Sequence, residues 1–166
     1  STKTTDNLPI KISDIDTVTS TFRYSGTTSN FNATYDIWFS KTIPTTEYQD
    51  GISGFVMIWL RDPSGAQPIG TKEPSTVKIG GRDWNVWVGP RGPGPNGTTS
   101  NAPVVSFTNP KENDDSLSQS FVDQNLKEFF TAAATRGISS DMYLTDVFAG
   151  FEIWQGGAGG NLGVDE

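Results

Sequence analysis

Apolar and polar residues alternate along most of the chain, and a period of two marks a strand with one buried face. The runs STFRYSG (20–26), FNATYDIWFS (31–40), GFVMIWL (54–60), STVKIGG (75–81), DWNVWVG (83–89), PVVSFT (103–108) and DVFAGFEIW (146–154) carry this pattern. Clusters of Gly, Pro, Asn and Asp separate them, and GPRGPGPNGTTSNAP (89–103) predicts a long turn-rich loop. One stretch keeps helical time instead: Val122, Leu126, Phe129, Phe130 and Ala133 fall on a single stripe. Ser120 with Asp123 three residues on resembles a capping box, and Arg136-Gly137 makes a C-terminal stop. Many strands and one helix of about four turns predict an all-β sandwich or jelly roll of two packed antiparallel sheets with the α-helix on the outside. No repeat or linker interrupts the pattern, so residues 1–166 read as one domain.

Residues i and i+2 of a strand share a face. Asp36 and Trp38 therefore stand opposite Tyr35, Ile37 and Phe39, and Phe55, Met57 and Trp59 stand opposite Val56, Ile58 and Leu60. In the last strand Glu152 and Trp154 share a face, with Phe151 and Ile153 directed at the core. Three strands thus each offer a Trp, two of them beside a carboxylate, to what could be one concave surface. Sugar sites are built this way, because indole faces stack on the apolar faces of sugar rings while carboxylates bond hydroxyls or act on the glycosidic link. Each residue taken singly has a plainer reading, the Trp as core filler and the acid as a solvated strand residue, and spacing alone leaves both open.

Composition narrows the chemistry. The chain of 166 residues has no cysteine and no histidine, which excludes disulfides, thiol catalysis, Ser-His-Asp machinery and ordinary zinc sites. Acid–base work falls to Asp and Glu, and no metal ligand set is expected. A net charge of −7 argues against nucleic acid or an anionic membrane as partner. No apolar run approaches the length of a bilayer span. Abundant Ser, Thr, Asn and Gly, with many aromatics, resemble secreted all-β proteins. Asn32-Ala-Thr34 and Asn96-Gly-Thr98 are formal glycosylation sequons. The polar start, Ser1-Thr-Lys-Thr-Thr, is no signal peptide, so a secreted chain would have lost one already or would be a fragment.

The segments ATYDIWFS, VMIWL followed by QPIG, GGRDWNVWVG, VVSF, LKEFF, YLTDVFAGFEIWQGG and a trailing LGV resemble glycoside hydrolase family 12 in content and order. The resemblance runs from about Asp6 to the C-terminus. It implies a β-jelly roll and a secreted, monomeric, retaining endo-acting hydrolase of β-1,4-glucans, cellulose-type glucan or xyloglucan, with no cofactor. Glu152 matches the family's acid/base, which protonates the leaving oxygen and then deprotonates the attacking water. Apolar flanks suit that role, since desolvation raises a carboxyl pKa toward working pH. Asp36 matches the Asp that orients the nucleophile. Met57 and Trp59 match the cleft floor, Trp154 takes the place of an aromatic beside the acid/base, and Trp38 shares the Asp36 face. Ile153, where many relatives carry Pro, is similar to xyloglucan-active members.

The pattern also implies a nucleophilic Glu directly before the VMIWL run, yet this chain reads Gly54-Phe55-Val56. Either Phe55 replaces the Glu, or a residue is missing between Phe55 and Val56. Restoring it gives FEVMIWL, which fits the family pattern on both sides. A substitution must also put Gly54 where an aromatic is usual, so the pattern favours the missing residue. Replacement by Phe55 would fit a catalytically silent relative that binds glucan or serves as a decoy for a plant inhibitor protein. The resemblance lacks the family's N-terminal strands before Asp6 and the end of its last strand, which implies open sheet edges and a shortened groove.

Overall fold

The structure, a computed structural model, describes residues 7–26, 30–44, 52–92, 101–110, 118–155 and 162–164. Its strands are β1 (Ile10–Lys11), β2 (Thr19–Gly26), β3 (Asn30–Ser40), β4 (Ile52–Trp59), β5 (Thr71–Lys72), β6 (Val77–Ile79), β7 (Arg82–Pro90), β8 (Pro103–Thr108), β9 (Ser118–Asn125), β10 (Tyr143–Gln155) and β11 (Leu162–Val164), with one helix, α1 (Leu126–Ala133), between β9 and β10. One sheet runs β1-β10-β3-β4-β8-β7-β5 with β6 joined to β7, and a smaller one runs β11-β2-β9. The expected two-sheet jelly roll is present, with one exception to its antiparallel pairing. Strand β8 lies parallel to β4, because the chain leaves β4, builds β5 to β7 at the far edge and returns to the gap beside it.

Alternation places the core as expected. Phe31, Ala33, Tyr35, Ile37 and Phe39 of β3 are all buried, as are Val56 and Ile58 of β4. Trp84 and Val86 of β7 and Val105 and Phe107 of β8 continue the same inner face. The expected strand over 75–81 ends at Ile79. Gly80 and Gly81, at φ 58° and 75°, make the two-residue turn into β7 that a twisted hairpin favours. On β10, Phe151 packs with ring centroids 6.1 Å from Phe22, 5.8 Å from Tyr24 and 5.6 Å from Phe31. Ile153, expected inside, is instead 56% exposed, because the cover supplied by β2 ends at Phe151.

The helix is shorter than its stripe suggested. Residues 118–125, which include Ser120, Val122 and Asp123, form β9 and pair with β2 from Ser25↔Ser118 to Thr19↔Asn125. Asn125 is the actual cap, its side chain accepting from Lys127 N at 3.1 Å and from Val18 N at 3.2 Å. A turn of 3-10 helix over Ala134–Arg136 and Gly137 at φ 102° end the helix where Arg136-Gly137 was expected to. Its buried side, Leu126, Phe129, Phe130 and Ala133, closes the sandwich. Phe129 meets Trp84 and Phe107 edge-on, each at 5.2 Å between ring centroids. Truncating it leaves a void among rings that cannot collapse, so Phe129→Ala should lower the unfolding free energy in denaturant by about 3–5 kcal/mol. Thr135→Ala, on the exposed side, should change it by less than about 0.5 kcal/mol.

Candidate active site

The outer face of the large sheet collects the even-numbered residues of β3 and their neighbours. Asp36 lies across from Phe148 on β10 and Met57 on β4, and the row continues through Ser106 on β8 to Trp87 on β7. The next row holds Gly150, Thr34, Trp59, Thr108 and Asn85, and beyond it Glu152 stands opposite Asn32. On the other side of Asp36, Trp38 faces Asp146 and Phe55. All six residues singled out from the sequence therefore share one surface. Trp59 is buried beneath it at 1% exposure, its ring 6.0 Å from that of Trp154, which is 46% exposed. Trp38 and Met57 are half-buried.

Glu152 is held by a residue that sequence reasoning cast differently. The Asn32 amide donates to Glu152 Oε2 at 2.6 Å, and Glu152 N donates to Asn32 Oδ1 at 3.1 Å. These two bonds fix both the carboxylate and the backbone it hangs from. Asn32 is fully buried, so it is no glycan acceptor in the folded chain. The second sequon, at Asn96, lies outside the described residues. The Glu152 side chain is exposed, so the apolar flanks do not take it out of water: Ile153 and Trp154 lean into solvent themselves.

Glu152 and Asp36 line one cavity of about 180 Å³, with Thr34, Phe148 and Gly150 between them. Burial raises the Asp36 pKa above the ordinary carboxylate value, and the Glu152 charge pushes in the same direction. The Trp38 indole and the Arg91 guanidinium pull the other way without overcoming burial. Trp38 Nε1 acts here as a nearby dipole, since it has no partner within hydrogen-bond geometry.

Buried polar atoms usually have partners, and this face breaks the rule repeatedly. Trp38 Nε1, Trp59 Nε1, Trp87 Nε1, Ser106 Oγ and Thr108 Oγ1 find no hydrogen-bond partner among the described residues. All five sit on the outer face, on β3, β4, β7 and β8. These atoms lie beneath the face that carries Asp36, Glu152 and the exposed Trp154, and Ser106, Thr108 and Trp59 are themselves buried. Trp87, Ser106 and Thr108 were within reach of the alternation rule, since DWNVWVG and PVVSFT put them in phase with the outer face.

Position 55 carries no carboxylate. Phe55 lies on the outer face, 4% exposed, with the Trp38 ring edge-on at 5.8 Å and the Arg91 guanidinium 4.6 Å from its centroid. A Glu added between Phe55 and Val56 would move Phe55 into the place of Gly54. A Cβ at Gly54 already meets Ile138 Cδ1 at 2.5 Å, so a phenyl ring there would force Ile138 aside. Ile138 Cδ1 is the tip of a side chain that can turn, so this contact leaves both alternatives at position 55 open.

A family model described as Glycosyl hydrolase family 12 matches residues 1–165. "Probable cellulase Cel12b" of Mycobacterium tuberculosis is 32% identical over 160 residues, which cover 96% of this chain and 93% of that protein. The xyloglucan-specific endo-beta-1,4-glucanase A of Emericella nidulans is 32% identical over 152 residues, covering 88% of this chain and 55% of its own. Among solved structures, the native family 12 xyloglucanase from Bacillus licheniformis superposes with a TM-score of 0.77 at 26% identity, covering 95% of this chain and 63% of that one. Endoglucanase cel12A from Rhodothermus marinus gives 0.69 at 29% identity, with 95% and 66% covered. The chain thus spans nearly all of the mycobacterial relative, a little over half of the fungal one and about two-thirds of the solved chains.

Asp36 supplies a test of the buried-acid geometry. Its proton is held more tightly in the folded than in the unfolded chain, so stability falls as pH rises from about 3.9, the unfolded value, up through the raised folded value. Asp36→Asn removes that loss. Thermal unfolding should show a higher Tm than the parent at pH 7, with the difference vanishing below about pH 4.

Proposed function

The chain belongs to glycosyl hydrolase family 12, and from that premise we propose that it acts on β-1,4-linked glucans, cutting internal glycosidic bonds of cellulose-type glucan or xyloglucan. The observation that carries this reading is the cavity shared by Glu152 and Asp36, on a sheet face that also carries Trp38 and the exposed Trp154. Relatives named as a cellulase and as xyloglucan-specific endo-beta-1,4-glucanases support the substrate class. They lend nothing to a non-catalytic decoy.

In this reading Glu152 is the acid/base. Its carboxyl, positioned by Asn32, protonates the leaving glycosidic oxygen; where a carboxylate at 55 has bonded the anomeric carbon, the same group takes a proton from the water that breaks that bond. Asp36, one row from Phe55 on the adjacent strand, is placed to orient a carboxylate at 55. The retaining route needs its two carboxyls about 5–5.5 Å apart, and position 55 is where the second belongs. A phenyl ring cannot attack an anomeric carbon, so Phe55 itself does not supply the second carboxyl of that route. A polymeric glucan stays outside the cell, so the reading places the protein there too. No helix among the described residues is long and apolar enough to cross a membrane.

Two variants test the assignment. Phe55→Glu should raise reducing-sugar release from xyloglucan or hydroxyethyl cellulose by at least about a hundredfold. Adding Glu152→Gln to that variant should remove about 10²–10⁴ of the rate, the usual share of a general acid. If Phe55→Glu folds, binds glucan and shows no gain, position 55 is not the nucleophile's seat. If Glu152→Gln leaves the rate of Phe55→Glu intact, Glu152 is not the acid. Asn32→Ala in the same background should lower kcat by about tenfold or more while KM changes little, because Asn32 positions the acid and lies beneath the substrate surface.

A further inference from the structure

Arg91 is a cation on the outer face of an acidic protein. Its backbone N donates to Ala102 O at 2.9 Å, which anchors the residue beyond the end of β7. Its guanidinium lies over the Phe55 ring at 4.6 Å and is half-buried. Ala102 and Val104 pack around Phe55, with Trp38, Ile52 and Met57 at the margin. This apolar bed fixes the ring on which the guanidinium rests. Asp36 is close enough to feel its charge, yet no hydrogen bond or ion pair to the guanidinium forms among the described residues. Lys72 stands on the same face, across from Trp87 on β5.

A guanidinium stacked on an aromatic ring loses rotational freedom while its in-plane N–H groups stay available. That fork matches a carboxylate, which can accept two parallel bonds. A neutral sugar hydroxyl needs no such fixed cation. The position suits a side group, since Arg91 flanks the trough at the Phe55 and Trp38 end, three rows from Glu152 along β3.

We propose that Arg91, stacked on Phe55, forms a subsite for a carboxylate substituent on the bound glucan, such as a carboxyalkyl group or an oxidised glucose unit. This rests on the glucan reading above. It goes beyond that reading by assigning the chain a preference for acidic over neutral decoration.

Binding tests the proposal without any need for turnover. Dissociation constants would be measured by calorimetric titration with carboxymethylated and hydroxyethylated cello-oligosaccharides of matched length, at low and high salt. The parent should favour the carboxymethylated ligand, and salt should shrink the preference. Arg91→Ala should lower the ratio of the two affinities about tenfold, and Arg91→Lys should restore only part of it because the charge returns without the fork. A structural role for Arg91 would weaken both ligands alike and leave the ratio in place, which would overturn the subsite. So would a parent that prefers the neutral ligand. If neither ligand binds the parent, the glucan reading itself falls, and the subsite with it.

Discussion

The register of β3 against its two neighbours is the constraint on which the rest depends. Phe31, Ala33, Tyr35, Ile37 and Phe39 are all buried, so the strand can face only one way. A slip of one residue would carry Asp36 and Asn32 into the core and four large side chains, with Ala33, into water. The cost of exposing those side chains, about 1.5–3 kcal/mol for each large one, far exceeds any cost of arranging the polar face. The core thus fixes the trough. Glu152 meets Asn32, and Asp36 meets Met57 and Phe148, because the opposite faces of the same strands have no alternative.

That coupling explains which parts of the site could be read from the sequence. Alternation within one strand is local, so the shared faces of Asp36 with Trp38, of Phe55 with Met57 and Trp59, and of Glu152 with Trp154 follow from spacing alone. The grip of Asn32 on Glu152 spans 120 residues of chain and follows only from the pairing of β10 with β3. A sequon read in isolation therefore pointed Asn32 at solvent. The helix start failed for a related reason. Val122 sits four residues before Leu126, so the helical stripe extends naturally to it, while Phe121 is buried by strand pairing with Phe22. Ile153 failed because periodicity says which way a residue points, and cannot say where the opposing sheet ends.

Position 55 shows where packing stops short of deciding a chemical alternative. A Cβ at Gly54 would meet only Ile138 Cδ1 closely, and that methyl is the tip of a side chain that can turn. The choice between a substituted Glu and a missing one therefore still rests on motif spacing. Phe55 in its present place is surrounded closely by Trp38, Val104 and Ala102. The ring is bedded in apolar neighbours, and the Arg91 guanidinium rests on its face.

The trough is also the least settled part of the sandwich in energetic terms. Each buried polar atom without a partner costs about 1–3 kcal/mol, and five lie on this one face. An acid held above its ordinary pKa by burial adds to the cost at neutral pH. The opposite face has the reverse character: Trp84, Phe107, Phe121 and Phe129 interlock with rings 5.2–6.2 Å apart. A fold selected for stability alone would fill the outer face with matched or apolar groups. This one concentrates its unmatched groups under the face that carries Asp36 and Glu152 and leaves its stability to the aromatic core behind that face.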